Sequence, residues 1–306
     1  MKTVNSIYYI SDSPCVVALG CFDGVHLGHK AVISEAAKAA RMRSCPCAVW
    51  TFSEPPKNYF SPASVPIITT NSLKAELIEE LGADVLVCVP FDADICAMSA
   101  EDFFETVLIE RMRACHIVCG FNYSFGARGS GNTELLSKLC KERGIGLSIV
   151  PPVSIDGCTV SSSAIRFEIE NGNPENASAY LGRPYALEAR VIDGQKLARR
   201  LGFPTLNQSF PEGALIPRHG VYAVRVLIDG NAPLLGISNV GIRPTVGGDT
   251  VYTETHIFDF DGDLYGKKIK IEFISFIRPE VRFDTVDALA EQVKLDIKTA
   301  KEILKY

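Results

Sequence analysis

A single change of hydrophobic pattern limits this chain more than any other feature. Residues 15–150 alternate short apolar runs with amphipathic stretches, whereas the residues after about 183 read as successive strands with one helix at the end. Cys15–Gly20 (CVVALG) is apolar throughout, like a strand buried on both faces. Cys47–Phe52, Ala83–Val89, His116–Cys119 and Leu147–Val150 are further strand candidates. Leu27–Arg43, Asn71–Leu81, Ala100–Met112 and Thr133–Arg143 are helix candidates, with Asn71 as the expected cap of the second. Strand and helix in alternation predict a parallel α/β sheet.

In the later part, Leu187–Ile192, Val221–Leu227, Pro233–Ser238, Tyr252–Phe258 and Ile269–Phe276 read as strands. Turns such as Asp229-Gly230 and Asp261-Gly262-Asp263 separate them. Val286–Leu304 is helical, with Leu289, Val293, Ile297 and Ala300 spaced by three and four. The pattern predicts a small antiparallel β-barrel closed by a C-terminal helix. At 306 residues the chain is long enough for two domains, expected at 1–180 and 183–306.

Composition excludes several function classes. Hydrophobic residues at 47% and charged residues at 22% are those of a globular chain, not a disordered or fibrous one. The net charge of −5 divides into −6 for residues 1–182 and +1 for the rest, so neither part is a general nucleic-acid binder. A small anionic ligand would need local donors. The opening MKTVNSIYYISDSP lacks the apolar core of a signal peptide, and no run approaches the roughly 20 apolar residues of a membrane span. All ten cysteines precede residue 159, with no C-x-x-C pair. Buried free thiols in a reducing cytoplasm are expected, rather than disulfides or zinc. No nucleic-acid or membrane partner is expected, and nothing identifies a protein partner.

The first chemical constellation is Gly20-Cys21-Phe22-Asp23-Gly24-Val25-His26-Leu27-Gly28-His29, between the first strand and the first helix. A strand turning into a helix N-terminus presents free backbone N–H groups and the positive end of the helix to an anion. His26 and His29 are three apart, so on the first turn of a helix they share a face. Two imidazoles there can donate to phosphate oxygens and stabilise charge that develops in a transition state.

The pattern G-x-F-D-G-x-H-x-G-H resembles the H-x-G-H signature of the nucleotidylyltransferase superfamily. More narrowly, it is similar to the FAD synthetase module of the bifunctional prokaryotic riboflavin kinase/FMN adenylyltransferases. Gly120-Phe121-Asn122-Tyr123-Ser124-Phe125-Gly126 resembles that family's loop after the fourth strand. Ser161-Ser162-Ser163-Ala164-Ile165-Arg166 resembles its S-S-T-x-I-R motif, with Ser163 in place of Thr. The resemblance implies a Rossmann-like nucleotidylyltransferase domain with His26 and His29 catalytic. It implies ATP contacts from Gly20, Phe22, Asp23, Gly28, Asn122, Ser162, Ser163 and Arg166.

The second constellation, Asp193-Gly194-Gln195-Lys196-Leu197-Ala198-Arg199-Arg200-Leu201-Gly202-Phe203-Pro204-Thr205-Leu206-Asn207, resembles the riboflavin kinase loop of the same family. Ala198 and Leu206 depart from its usual Gly and Ala. On a strand, Thr205 and Asn207 share a face, where a hydroxyl and an amide oxygen could hold Mg²⁺ beside phosphates. The likeness continues through His219–Ala223, Asn239–Thr245, Glu254–His256, Phe258–Gly266 and Phe276–Glu280. It implies Glu254 as the catalytic carboxylate and nucleotide contacts from Gly194, Arg199 and Thr205. It also implies flavin contacts from Asn239, Arg243 and Arg278. Gly262–Lys268 hints at a P-loop but has the wrong spacing and no Ser or Thr after Lys, and it reads as a hairpin turn.

The resemblance implies phosphorylation of riboflavin by ATP to FMN, then adenylylation of FMN by a second ATP to FAD and pyrophosphate. Mg²⁺ would accompany ATP, and the flavins would be substrates and products. Two other readings fit the residues. The barrel could be a flavin store without catalysis, which ADP release with riboflavin would decide. The first domain could transfer another nucleotide, such as CMP, which competition between ATP and CTP would decide.

Overall fold

Every residue of Cys15–Leu19 is buried, as the middle of a sheet covered on both faces requires. The computed structural model describes residues 1–61, 64–192, 203–228, 232–245 and 248–306, leaving the side chains of 243–249 outside the description. These residues divide into two units, Met1–Ser162 and Ser163–Tyr306.

The first unit holds six strands: β1 (Lys2–Val4), β2 (Cys15–Leu19), β3 (Cys47–Phe52), β4 (Val85–Val89), β5 (Ala114–Gly120) and β6 (Gly146–Val150). They form one parallel sheet in the order β1-β4-β3-β2-β5-β6. Helices α1 (Leu27–Arg43), α2 (Lys57–Phe60), α3 (Asn71–Glu80), α4 (Ala93–Ala97), α5 (Ala100–Asp102) and α6 (Thr133–Arg143) lie between them. A short hairpin, β7 (Ser154–Ile155) and β8 (Cys158–Thr159), follows. Alternate residues of β2 feed opposite cores. Val17 and Leu19 join Trp50, Phe104 and Ile117, while Val16 and Ala18 join Ile33, Ala36 and Ile78.

Three local features differ from the sequence expectation. β1 is a three-residue edge strand on β4, too short and polar to carry a pattern. Thr70, not Asn71, caps α3: Thr70 is extended and its Oγ1 accepts the Leu73 N–H at 3.3 Å, while Asn71 has already entered the helix. The helix expected over Ala100–Met112 begins as α5 and continues as a π-helix over Phe103–Arg111, where the Met112 N–H reaches back to the Val107 oxygen.

α7 (Ser162–Glu170) spans the division, and α8 (Pro174–Leu181) starts on a proline and stops at the left-handed Gly182. Neither helix was expected. The second unit's strands are β9 (Tyr185–Arg190), β10 (Leu206–Ser209), β11 (Gly220–Leu227), β12 (Leu234–Thr245), β13 (Gly248–Ile257) and β14 (Lys268–Arg278). They pair antiparallel in the order β10-β13-β12-β11-β14-β9. Gln208, fully buried, links the two edge strands by donating its amide to the Ala189 oxygen at 2.5 Å and the Ile269 oxygen at 3.1 Å. The last helix, α9 (Val286–Leu304), lays Val293, Ile297 and Ala300 on Val221, Ala223 and Ile237.

The stretch Gly262–Gly266 is not a hairpin turn. β13 pairs with β10 and β12, and β14 with β11 and β9, so the segment is a crossover between strands that are not neighbours. All ten cysteines are free thiols. Burial pushes those of Cys15, Cys47 and Cys119 up to about 12.

Candidate active sites

The loop after β2 is strained. Phe22, Gly24 and Val25 have φ of +49°, +87° and +39°, a region costly for a β-branched residue. Neighbouring groups hold it there. The Asp23 carboxylate accepts the Ile68 N–H at 2.9 Å and the Thr69 N–H at 3.3 Å. Thr69 Oγ1 accepts the Gly24 N–H at 3.2 Å, and Ser162 Oγ donates to the Asp23 carbonyl at 2.9 Å. Asp23, only 3% exposed, therefore braces the loop from behind.

His26 does not lie within the first helical turn, as its spacing from His29 suggests. It is the N-cap of α1, extended in backbone, with Nδ1 accepting the His29 N–H at 3.3 Å. The neutral His26 ring then carries its proton on Nε2. The two imidazoles stack, with centroids 3.5 Å apart and planes at 18°. Phe22 meets His29 edge-on at 5.3 Å. Gly28 makes room for the stack, because a Cβ there would sit 3.1 Å from His26 Cε1. Burial, then the charges of His26 and Lys74, hold His29 well below the usual histidine value. Its Nδ1 is buried without a partner.

A cavity of about 630 Å³ opens here, at the C-terminal ends of β2, β3, β5 and β6. The strand order reverses between β2 and β5, where open parallel sheets bind ligands. Gly20, Phe22, His26, Gly28, His29, Asn122 and Ser162 all line it. Ser163 and Arg166 follow on α7, on the second unit's side of the division. The sequence reading missed the aromatic wall of Trp50, Phe52, Phe91, Phe103, Tyr123 and Phe125. Phe52 ends β3 and Phe91 follows β4, so an aromatic residue closing a buried strand was the available signal.

In the second unit three expected residues fall in one row across three strands. Asn207 on β10 pairs with Glu254 on β13, which pairs with Asn239 on β12. A cavity of about 350 Å³ is lined by Asn239, Glu254, His256, Arg278 and Asp296. A second, of about 630 Å³, is lined by Val191, Thr255, Asp261, Asp263 and Tyr265. Thr205 lines both. The crossover residues Asp261 to Tyr265, which read as a turn in the sequence, are cavity wall. Asn239 Nδ2 donates to Glu280 at 3.1 Å. Thr205 and Asn207 offer uncharged hard oxygen donors, the kind a magnesium ion accepts when phosphates complete its shell. Arg243 lies on β12 opposite Thr250, its side chain outside the description. Gly194, Ala198 and Arg199 lie outside the described residues.

Comparison with known proteins agrees with both halves. Residues 10–164 match the family model of FAD synthetase, and residues 181–304 match that of riboflavin kinase. The bifunctional riboflavin kinase/FMN adenylyltransferase of Escherichia coli (strain K12) is 35% identical over 306 residues, covering 99% of this chain and 97% of its own. That of Listeria monocytogenes is 36% identical over 284 residues, covering 92% and 90%. A crystal structure from Streptococcus pneumoniae, named a macrolide-efflux protein, superposes with a TM-score of 0.90 at 31% identity, covering 98% and 99%. Among the described residues no helix is long and apolar enough to cross a membrane.

Proposed function

The chain belongs to the bifunctional riboflavin kinase/FMN adenylyltransferases, and from that membership we propose which of its residues do the work. The enzyme phosphorylates riboflavin with ATP to FMN, then adenylylates FMN with ATP to FAD and pyrophosphate.

Adenylyl transfer belongs to the first unit. A phosphate oxygen of FMN attacks the α-phosphorus of ATP, the bond to the β-phosphate oxygen breaks, and pyrophosphate leaves. His26, through its Nε2–H, and His29 stabilise the charge at the crowded phosphorus and on the leaving group. Gly20, Phe22 and Gly28 shape the phosphate side of the cavity, with Asn122, Ser162, Ser163 and Arg166 as further ATP contacts. Asp23 acts by holding the loop. Positioning supplies most of the acceleration, with no covalent intermediate.

Phosphoryl transfer belongs to the barrel. Glu254 accepts the proton of the riboflavin 5′-hydroxyl as its oxygen attacks the γ-phosphorus of ATP and ADP leaves. Thr205, on the wall common to both cavities, joins nucleotide and flavin, with Gly194 and Arg199 on the nucleotide and Asn239, Arg243 and Arg278 on the flavin. Thr205 and Asn207 hold Mg²⁺, which neutralises charge on the transferring group when bound. Ten cysteines outside any disulfide suit a reducing cytoplasm, the location we propose.

The observation that carries this assignment is that the stacked histidines and the Asn207–Glu254–Asn239 row lie in different units. Incubation with riboflavin, ATP and Mg²⁺, with products separated by chromatography, should yield FMN and then FAD. Incubation with FMN, ATP and Mg²⁺, without riboflavin, should yield FAD and pyrophosphate. Absence of both flavin nucleotides would overturn the reading.

A further inference from the structure

Lys74 on α3 is only 3% exposed. Its Nζ donates to the Phe52 carbonyl at 2.9 Å, one bond for a group with three donors. Among the described residues no carboxylate pairs with it. A buried ammonium without a counter-ion is costly, and a site that receives a polyanion supplies the missing charge. Two neighbours tie it to the adenylyl-transfer cavity. Phe52 is part of the wall, and His29 loses basicity in part through the charge of Lys74. Around His29 the titratable groups are His26 on the same turn and Lys74 from α3, with Cys21, Tyr123 and Arg128 elsewhere on the wall. The nearby Asp23 carboxylate is taken up by the Ile68 and Thr69 amides.

Resting on the adenylyl-transfer reading of the first unit, we propose that Lys74 is a positioning residue of that reaction, a fixed positive charge behind the Phe52 carbonyl of the cavity wall. It attracts the triphosphate.

Lys74→Met and Lys74→Arg separate charge from packing. In Lys74→Met the KM for ATP in FAD synthesis should rise about tenfold, the equivalent of one pKa unit of lost interaction. The acid limb of its pH profile should also move to higher pH, because His29 then accepts a proton more readily. Lys74→Arg should keep both near wild type. Circular dichroism and an unchanged rate of riboflavin phosphorylation check that the chain is folded. A folded Lys74→Met with wild-type KM and acid limb overturns the proposal. If that variant does not fold, Lys74→Arg decides, and a moved acid limb there overturns it. Binding of inorganic pyrophosphate, followed by calorimetry, reads the same charge without turnover. It should weaken about tenfold in Lys74→Met, and equal binding refutes the role of Lys74 even if wild-type chain makes no FAD.

Discussion

Arg278 and Asp296 form a two-pronged ion pair, with Nε and a terminal guanidinium nitrogen 2.7 to 3.1 Å from the two carboxylate oxygens. Asp296 is buried on α9 and also accepts the Gln292 amide at 2.9 Å, so the pair fastens the last helix to β14 at the smaller cavity of the barrel. The arginine expected to contact flavin is therefore held in place by a carboxylate eighteen positions later.

Removing one partner of such a pair leaves the other charge buried and unmatched. Asp296→Asn should destabilise the barrel by about 3 kcal/mol, read as a lower urea midpoint. It should raise the KM for riboflavin while supplied FMN is still converted to FAD. An unchanged midpoint and KM would show that the pair holds nothing.

The two activities should separate cleanly by mutation. His29→Ala should lower FAD formation at least about 100-fold, with FMN formation intact. Glu254→Gln should block riboflavin phosphorylation and leave adenylylation of supplied FMN untouched. Either variant losing both activities, while remaining folded, would refute the division of labour.

Gly28 tests the histidine stack without removing either ring. A methyl group there meets His26 at 3.1 Å, and the ring must shift by a few tenths of an ångström. Gly28→Ala should slow FAD synthesis about tenfold without weakening the helix, since Ala favours the helix by about 1 kcal/mol. A wild-type rate would mean that the stacked geometry is dispensable.

Burial lowers the basicity of His29 and of His116, the latter also through Arg43, whose guanidinium lies 3.0 Å from the His116 Nδ1. Below the ordinary histidine value of 6.5 the unfolded chain therefore binds more protons than the folded one. Stability is full above that pH and declines as the pH falls beneath it. Urea midpoints should drop between pH 7.5 and 5, and His116→Asn should flatten the slope. A slope that survives both His116→Asn and His29→Asn would place its origin in other groups.

Much of the fold is legible along the chain because the signals are local. A doubly covered strand such as Cys15–Leu19 has to be apolar throughout, and a Gly-rich turn into α1 shows as spacing. The helices α7 and α8 escaped notice because they are short. Gly262–Lys268 reads as a hairpin in the sequence because turn chemistry names a bend, not the strands on either side of it.

The sequence by itself determined the change from alternating strands and helices to successive strands and the spacing of the motif residues, for these depend on neighbours a few positions apart. Only the tertiary structure decided that His26 caps α1 and stacks on His29, that Asn207, Glu254 and Asn239 stand in one row, and that Lys74 is buried with no acid paired to it among the described residues. Those relationships join residues brought together by strand pairing and packing across long stretches of chain, and no local pattern encodes which distant partner will arrive.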